Sequence, residues 1–372
     1  MKQIMVTKPF LPPIEEYEEK LKEIWQNDWL TNKGPLYYQF EDKLKKYIDC
    51  NNLCLTVNGH SSLDIAIKSL GLSGEVITTP FTFASTTHAL TMNNIKPVFC
   101  DIKESDLTID EDKIEDLITP QTTAILAVHV YGHPCNIQKI NKIAKKHNLK
   151  VIYDAAHAFG CTYNDKSIAN YGDASIFSFH ATKLFNTIEG GCCIYKDDKY
   201  ESLFNAYRNF GIYDEDIVYC VGGNAKMNEF QAAMGLVNMK YIDNIIIKRK
   251  ELTQHYRKKL DDIKGIKYFI QEDMNNYKYN YAYMPILINN DVLGINRDSL
   301  YNKLKKYGIF TRKYFYPCTP DFECYKKIYG ECDIPVARKV ANNILCLPLY
   351  YDLTLDDIDY IIDSIKSIIK GC

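Results

Sequence analysis

Reactive side chains stand where apolar, strand-like runs of this sequence end. Lys183 lies in SFHATKLFNTIEGG (178–191), directly after the apolar run ASIFSF, and Asp154 ends the run KVIYD. An amine or a carboxylate beside a buried strand is costly unless a partner group uses it. Gly59 follows the run LCLTV, and Ser61 comes next in NGHSSLD. A glycine turn that opens a helix offers free backbone N–H groups, which favour a bound phosphate.

These groups together meet the needs of one cofactor, pyridoxal 5′-phosphate. That molecule requires a lysine for its aldehyde, an anion for its pyridine N–H and hydrogen-bond donors for its phosphate. Ser178 adds a hydroxyl at the strand end, and Phe83, in TTPFTFAST, could cover the ring. The cysteines and histidines lack the spacing of a metal site, so we expect no metal.

The elements that must position these residues follow from the pattern of apolar runs. Short strand-like runs alternate with helical patterns between about residue 53 and residue 200. This alternation predicts an α/β fold with a mostly parallel central sheet sandwiched by helices. Ligands bind at the carboxyl ends of the strands in such sheets, where all of these groups stand.

The pattern changes after about residue 240, where long helical stretches surround the strand-like run YAYMPILI. We therefore expect a large cofactor-binding domain over residues 31–240 and a smaller α+β domain over residues 241–372. Residues 1–30 are expected to pack with the small domain or to bridge to it. Thr354 is the predicted N-cap of the last helix.

Composition excludes several classes of partner. The net charge of −2 favours neither nucleic acid nor an anionic membrane surface, and no apolar run is long enough to span a bilayer. The 13 cysteines form no recognisable disulfide framework. Such cysteines are typical of a reducing compartment, so a cytoplasmic location is predicted.

With these motifs in order, the chain resembles the DegT/DnrJ/EryC1/StrS family of sugar aminotransferases, which are fold-type-I pyridoxal phosphate enzymes. The resemblance covers nearly the whole chain, and the segments that carry it are LTNKGP, NGHSSLDIA, TTPFTFASTTHAL, PVFCDI, AVHVYGHPCNI, YDAAHAFG, SFHATKLFNTIEGG and NAKMNEFQAAMGL.

The resemblance implies a role for each residue around the cofactor ring. Lys183 matches the lysine that links to the cofactor and then moves the proton, which favours transamination over dehydration. Asp154 matches the carboxylate that keeps the pyridine nitrogen protonated. His157 matches the position near the 3-oxygen of the ring, and Phe83 matches the aromatic residue stacked on it.

Further residues match the phosphate site and the subunit contact of the family. Gly59, His60 and Ser61 match the phosphate-binding turn, and Ser178 matches a hydroxyl that contacts the same phosphate. The segment that matches a contribution from the second subunit contains Asn224 and Lys226, and the sequence does not choose between these two. A homodimer with shared active sites is implied.

The family also implies the reaction. An amino acid, usually glutamate, would convert the cofactor to pyridoxamine 5′-phosphate, and a nucleotide-linked keto-sugar would then receive the amine. The stretches NGHSSLDIA and RKYFYP resemble the subgroup that aminates C4 of dTDP-4-keto-6-deoxyglucose, giving dTDP-4-amino-4,6-dideoxyglucose. Arg312, Lys313 and Tyr316 are candidates for the diphosphate or the sugar. However, FYPCTPDF lacks the histidine that often follows this segment.

Two alternatives stay open at this point. The same scaffold could aminate a 3-keto-sugar nucleotide or a cyclitol precursor. A non-catalytic sensor that binds the cofactor and a metabolite is the second, although the sequence shows no DNA-binding segment or basic patch.

Overall fold

The computed structural model describes residues 2–269 and 276–371. Its α-helices are α1 (Ile14–Asn27), α2 (Pro35–Ile48), α3 (Gly59–Ser69), α4 (Ala84–Met92), α5 (Ile137–His147), α6 (Glu201–Arg208), α7 (Glu229–Asn238), α8 (Ile242–Leu260), α9 (Asn290–Leu293), α10 (Arg297–Lys306), α11 (Glu323–Tyr329), α12 (Pro335–Asn343) and α13 (Leu355–Lys370). Its strands are β1 (Leu53–Thr56), β2 (Glu75–Thr78), β3 (Lys96–Phe99), β4 (Thr122–Val128), β5 (Lys150–Asp154), β6 (Thr162–Tyr163), β7 (Lys166–Ser167), β8 (Ala174–Ser178), β9 (Gly191–Tyr195), β10 (Ile212–Asp214), β11 (Ile217–Val218), β12 (Ile266–Tyr268), β13 (Tyr277–Lys278), β14 (Met284–Ile288) and β15 (Ile344–Leu347).

The central sheet has seven strands in the order β1-β9-β8-β5-β4-β2-β3. The pairs from β8 to β3 are parallel, whereas β9 runs antiparallel to both of its neighbours. Consequently β1 runs in the same direction as β8, and every strand of this sheet except β9 ends at one common edge. The predicted mostly parallel α/β sheet is confirmed.

The strands of this sheet bury both of their faces, as parallel strands between helices must. In β5, Val151 and Tyr153 belong to one apolar cluster, whereas Ile152 belongs to the cluster on the other side of the sheet. The first cluster is completed by α2, α5 and α7, and the second by α3, α4 and α12.

A smaller antiparallel sheet in the order β12-β14-β15 packs with α8, α10 and α13 around a third apolar cluster. Thr354 caps α13 as predicted, because its hydroxyl accepts from the Asp357 N–H while the Asp357 carboxylate accepts from the Thr354 N–H. The domain boundaries given above stay predictions. Across the two described ranges, no helix combines the length and the apolar character needed to cross a bilayer.

The N-terminal segment 4–10 contacts residues beside both sheets. The Ile4 N–H donates to the carbonyl of Gly308, and the Val6 carbonyl accepts from the Leu349 N–H. A few residues later the Thr7 hydroxyl donates to the Thr182 carbonyl at 3.3 Å, beside Lys183.

Candidate active site

Asp154 and Lys183 lie at the same edge of the central sheet. Asp154 is the last residue of β5 and pairs in register with Ile176 of β8. Lys183 belongs to the turn that follows β8, where its N–H donates to the His180 carbonyl. The two side chains lie close enough for their charges to influence each other's ionisation. The carboxylate and the amine therefore share one site, as the parallel topology predicts.

Burial sets the ionisation of this pair. Burial lowers the pKa of Lys183 to about 8, although the carboxylate of Asp154 opposes this fall. Burial likewise raises the pKa of Asp154, opposed first by the Thr86 hydroxyl and then by the Ala156 N–H, Lys183 and His60. An amine with this pKa is partly neutral near pH 7, so it can accept a proton there.

His157 is a neutral imidazole in a wall of aromatic rings. Burial and the nearby Lys183 hold its pKa well below the usual range. Its Nδ1 accepts from the Tyr131 N–H at 3.2 Å, which places the ring proton on Nε2. Its ring stacks on Phe315 with centroids 5.6 Å apart and meets the edge of Tyr283 at 5.0 Å.

Tyr283 contacts Lys183 directly, since the amine donates to its hydroxyl at 3.4 Å. Arg249 supports this segment from behind by donating to the Ala282 carbonyl. The chain from residue 280 is fixed to the His157 loop as well, because the Asn280 side chain donates to the His157 carbonyl at 2.8 Å.

The glycine turn lies against the end of β8. A Cβ atom built on Gly59 would stand 2.8 Å from the Ser178 Cβ, so only glycine allows this approach. Gly191 is restricted in the same way, because its Cβ would stand 2.7 Å from the Gly59 nitrogen. The N-terminus of α3 and the Ser178 hydroxyl are therefore neighbours, and their hydrogen-bond donors could together hold a phosphate.

One N–H group in the first turn of α3 is used by the helix cap, and others remain available to a ligand. The Asn58 side chain caps the helix by accepting from the Ser61 N–H at 2.8 Å. Of the predicted turn, Gly59 and His60 retain N–H groups that this cap does not use. The His60 imidazole hydrogen-bonds Ser85 at 2.9 Å and so joins α3 to α4.

Helix α4 presents two kinds of residue to this region. Phe83, the residue before the helix, is 60% exposed, which leaves its ring available to cover a ligand. Thr86 is fully buried and donates to the Asp154 carboxylate at 2.8 Å.

Of the residues predicted to contact the substrate, Lys313 and Tyr316 pack against α10. Lys313 forms an ion pair with Asp298 at 2.5 Å, and the Arg297 guanidinium lies 4.5 Å from the centre of the Tyr316 ring. Arg312 has an exposed side chain, and its backbone pairs with Cys346. It is the neighbouring Tyr314 and Phe315 that border the site, through Tyr283 and His157 respectively.

The segment predicted to serve a second subunit lies beside the glycine turn. The Ala225 carbonyl accepts from the Val57 N–H. Asn224 is exposed, whereas the Lys226 amine donates to the Asn209 side chain at 2.6 Å. Within one chain, Asn224 is therefore the freer of the two candidates.

Sequence reasoning missed several residues of this site, among them Asn58, Thr86, Tyr131, Tyr283 and Phe315. Asn58 carried a readable signal, because an asparagine directly before a helical pattern is typical of an N-cap. The others lie far from their partners in sequence, and only the tertiary fold brings them to Asp154, His157 and Lys183.

The residues present fit pyridoxal 5′-phosphate. An amine of lowered pKa lies near a buried carboxylate, which suits an aldehyde and a pyridine nitrogen on one ring. Helix N–H groups and a serine hydroxyl lie beside a glycine that has no room for a Cβ, which suits the phosphate. Lys183 would link to the aldehyde, Asp154 would hold the ring nitrogen, and Gly59, His60 and Ser178 would hold the phosphate.

Known proteins of one family match this chain along nearly its whole length. Residues 13–366 match the DegT/DnrJ/EryC1/StrS aminotransferase family. The dTDP-4-amino-4,6-dideoxy-D-glucose transaminase of Shigella dysenteriae is 44% identical over 99% of both chains, and the Escherichia coli protein of that name is 42% identical over 95% of both chains. The crystal structure of DesI in the presence of its TDP-sugar product superposes with a TM-score of 0.94 at 32% identity, covering 100% of this chain and 94% of the other.

Proposed function

The chain belongs to the DegT/DnrJ/EryC1/StrS aminotransferase family, and on that premise we propose that it transfers an amino group from L-glutamate to C4 of dTDP-4-keto-6-deoxyglucose, giving dTDP-4-amino-4,6-dideoxyglucose. The observation that carries the proposal is that Asp154, at the end of β5, and Lys183, in the turn after the neighbouring strand β8, lie at the same edge of the central sheet. The substrate follows from the names of the two transaminases that are 42% and 44% identical along almost the whole chain.

Each group of the site has a part in this reaction. When bound, pyridoxal 5′-phosphate supplies an electron sink for the pair left by the departing α-proton of the donor. Asp154 holds a positive ring nitrogen by its negative charge, which strengthens that sink. Lys183 accepts the proton at its Nζ and returns it, for which a pKa of about 8 is well matched to neutral pH.

The neighbouring residues orient these two. Neutral His157 offers its Nε2–H as a donor, because its Nδ1 is held by the Tyr131 N–H. Phe83 would cover the ring from α4, and the aromatic wall of Phe315 and Tyr283 excludes water from the side of His157. Water exclusion strengthens the electrostatic contacts inside the site.

The proposed assembly is a homodimer in which Asn224 reaches the phosphate of the partner's cofactor. It is supported by the exposed apolar side chains on and beside the hairpin β10–β11, namely Phe210, Ile212, Tyr213, Ile217, Val218, Tyr219 and Val221. An apolar patch of this kind is typical of a protein interface. The proposed compartment is the cytoplasm, which the many cysteines without a disulfide framework support.

A spectroscopic and product assay tests the function. Wild-type protein incubated with pyridoxal 5′-phosphate should become yellow, and with glutamate and the 4-keto sugar it should yield the 4-amino sugar by mass spectrometry. Lys183→Ala should stay colourless and lose activity by about a thousandfold or more, because it removes the amine that would link to the aldehyde and move the proton. Lys199→Ala, a surface change, serves as the matched control.

The same assay also distinguishes the alternative functions, which are a different ketone acceptor and a non-catalytic sensor. Turnover of a 3-keto-sugar nucleotide or a cyclitol ketone in place of the 4-keto sugar would replace the proposed acceptor. A yellow protein that aminates none of these ketones would favour a sensor. A wild-type protein that stays colourless would overturn the whole proposal.

Subunit mixing tests the shared site. If Asn224 acts on the partner's cofactor, Lys183→Ala and Asn224→Ala dimers that are each inactive should regain about one quarter of wild-type activity after exchange of subunits, because half of the dimers are then mixed and hold one intact site of two. Repeating the exchange with Lys226→Ala decides between the two residues. Absence of recovery in both pairs would contradict the shared site.

A further inference from the structure

The carboxylate of Asp154 is held by two donors from different elements. Its Oδ1 accepts from the Ala156 N–H at 3.1 Å, a contact local to the end of β5. Its Oδ2 accepts from the Thr86 hydroxyl at 2.8 Å, and this donor comes from α4, 68 residues earlier in the chain. Both oxygens thus accept one hydrogen bond each, and both of these bonds favour the ionised carboxylate.

A second threonine stands behind the first. The Thr82 hydroxyl lies 2.9 Å from the Thr86 hydroxyl, and both residues are at least 98% buried. Because an ionised carboxylate can only accept, the single proton of the Thr86 hydroxyl is committed to Asp154. Thr82 must therefore donate to Thr86, so the two hydroxyl dipoles point in one direction, toward the carboxylate.

Other titratable groups also face Asp154, namely Lys183 from the turn after β8, His60 from α3 and Tyr283. Lys183 and His60 both lower the pKa of the Asp154 carboxyl. Lys183 changes its charge whenever it accepts or releases a proton. The hydroxyl pair carries no net charge and keeps its direction, so it is a constant support for the carboxylate.

We propose that Thr86 is a positioning residue of the transamination, which fixes the rotation of the Asp154 carboxylate and holds it ionised toward the ring nitrogen, with Thr82 fixing the direction of the Thr86 hydroxyl. This inference rests on the proposed function, because it assigns the partner of Asp154 as a protonated pyridine. Hydrogen bonds to a charged group are the stronger ones, so the loss of this donor should be measurable.

Thr86→Val removes the donor and keeps the shape of the side chain, whereas Thr86→Ser keeps the donor. Thr87→Val is the matched control, because Thr87 is equally buried on the same helix but donates to Thr319 instead, at 3.0 Å. The primary readout is the dissociation constant of pyridoxal 5′-phosphate, measured by equilibrium dialysis and independent of turnover. The second is the pH dependence of the absorbance of the bound cofactor.

Thr86→Val should bind the cofactor about tenfold more weakly or worse, whereas Thr86→Ser and Thr87→Val should stay within about threefold of wild type. The loss of cofactor affinity in Thr82→Val should lie between about threefold and tenfold, because this change removes only the hydroxyl that orients Thr86. The pH range over which the absorbance of the bound cofactor changes should differ from that of wild type in Thr86→Val, and it should match wild type in Thr86→Ser and Thr87→Val.

The result that overturns this inference is equal binding and an equal pH dependence for Thr86→Val and Thr87→Val. A purely structural role would lower the melting temperature of both valine variants without separating their cofactor affinities. If Thr86→Val fails to fold, the cofactor dissociation constants of Thr82→Val and Thr86→Ser are compared instead. A wild-type dissociation constant for Thr82→Val would then contradict the inference. Failure of wild-type protein to bind the cofactor would instead overturn the proposed function.

Discussion

The ionisation of Lys183 offers the most direct physical test of the site. We predict that its amine titrates near pH 8, because burial lowers its pKa from the usual 10.5. At pH 7.5 this makes about a quarter of the amine neutral, against about a thousandth for an unperturbed lysine, which is a gain of roughly 240-fold. The supply of free amine for catalysis therefore depends on the surroundings of this one side chain.

Competitive labelling of the cofactor-free protein measures this directly. The protein is treated with a trace of acetic anhydride at a series of pH values, and the labelled peptides are quantified by mass spectrometry. Lys183 should show its half-maximal reactivity near pH 8. Lys199 is an internal control, because its surface ion pair with Asp197 raises its pKa.

Asp154→Asn is the perturbation that identifies the cause. The charge of Asp154 favours the protonated amine, so its removal should move the Lys183 midpoint further down. Midpoints of Lys183 and Lys199 that coincide, or an upward movement of Lys183 in Asp154→Asn, would refute the reasoning. Lys199 should be unaffected by the substitution.

Three further predictions concern the frame of the site. Gly59→Ala should weaken cofactor binding about tenfold or more, because its Cβ would stand 2.8 Å from the Ser178 Cβ, and an unchanged dissociation constant would contradict the close packing of this turn. Ile188→Gly should stabilise the fold by about 1 kcal/mol in denaturant unfolding, because Ile188 is a β-branched residue at a φ of 70°; a loss of stability would show that its side chain contributes more than this backbone cost. Thr354→Ala should destabilise the fold by about 1 kcal/mol in the same assay, whereas Thr354→Ser, which keeps the cap, should match wild type.

The edge of the sheet was predictable because it depends on short-range patterns. Asp154 ends the run KVIYD, Ser178 lies near the end of ASIFSF and Gly59 follows LCLTV, and parallel strands place the ends of such runs side by side. The antiparallel direction of β9 was not predicted, since strand and helix alternation alone does not give the direction of a strand that follows a long turn.

The lining of the site was less predictable, because it comes from residues remote in sequence. Thr86 is one of several threonines in TTPFTFASTTHAL, and no local feature separates the hydroxyl that faces Asp154 from the one on Thr87 that faces Thr319. The tyrosines likewise show no pattern along the chain, although Tyr131 and Tyr283 meet at 5.4 Å in the fold. The role of a cationic side chain is equally hard to predict from sequence, since Lys313, a candidate for substrate binding, forms an ion pair with Asp298 instead.

The segment 4–10 makes the two sheets mechanically dependent on each other. Its backbone is bonded to residues 308 and 349 beside the smaller sheet, and Thr7 holds the carbonyl next to Lys183. A rotation of the smaller sheet against the central sheet would therefore either break these hydrogen bonds or move the turn that carries Lys183. The position of the reacting amine and the relative orientation of the two sheets are, for this reason, coupled.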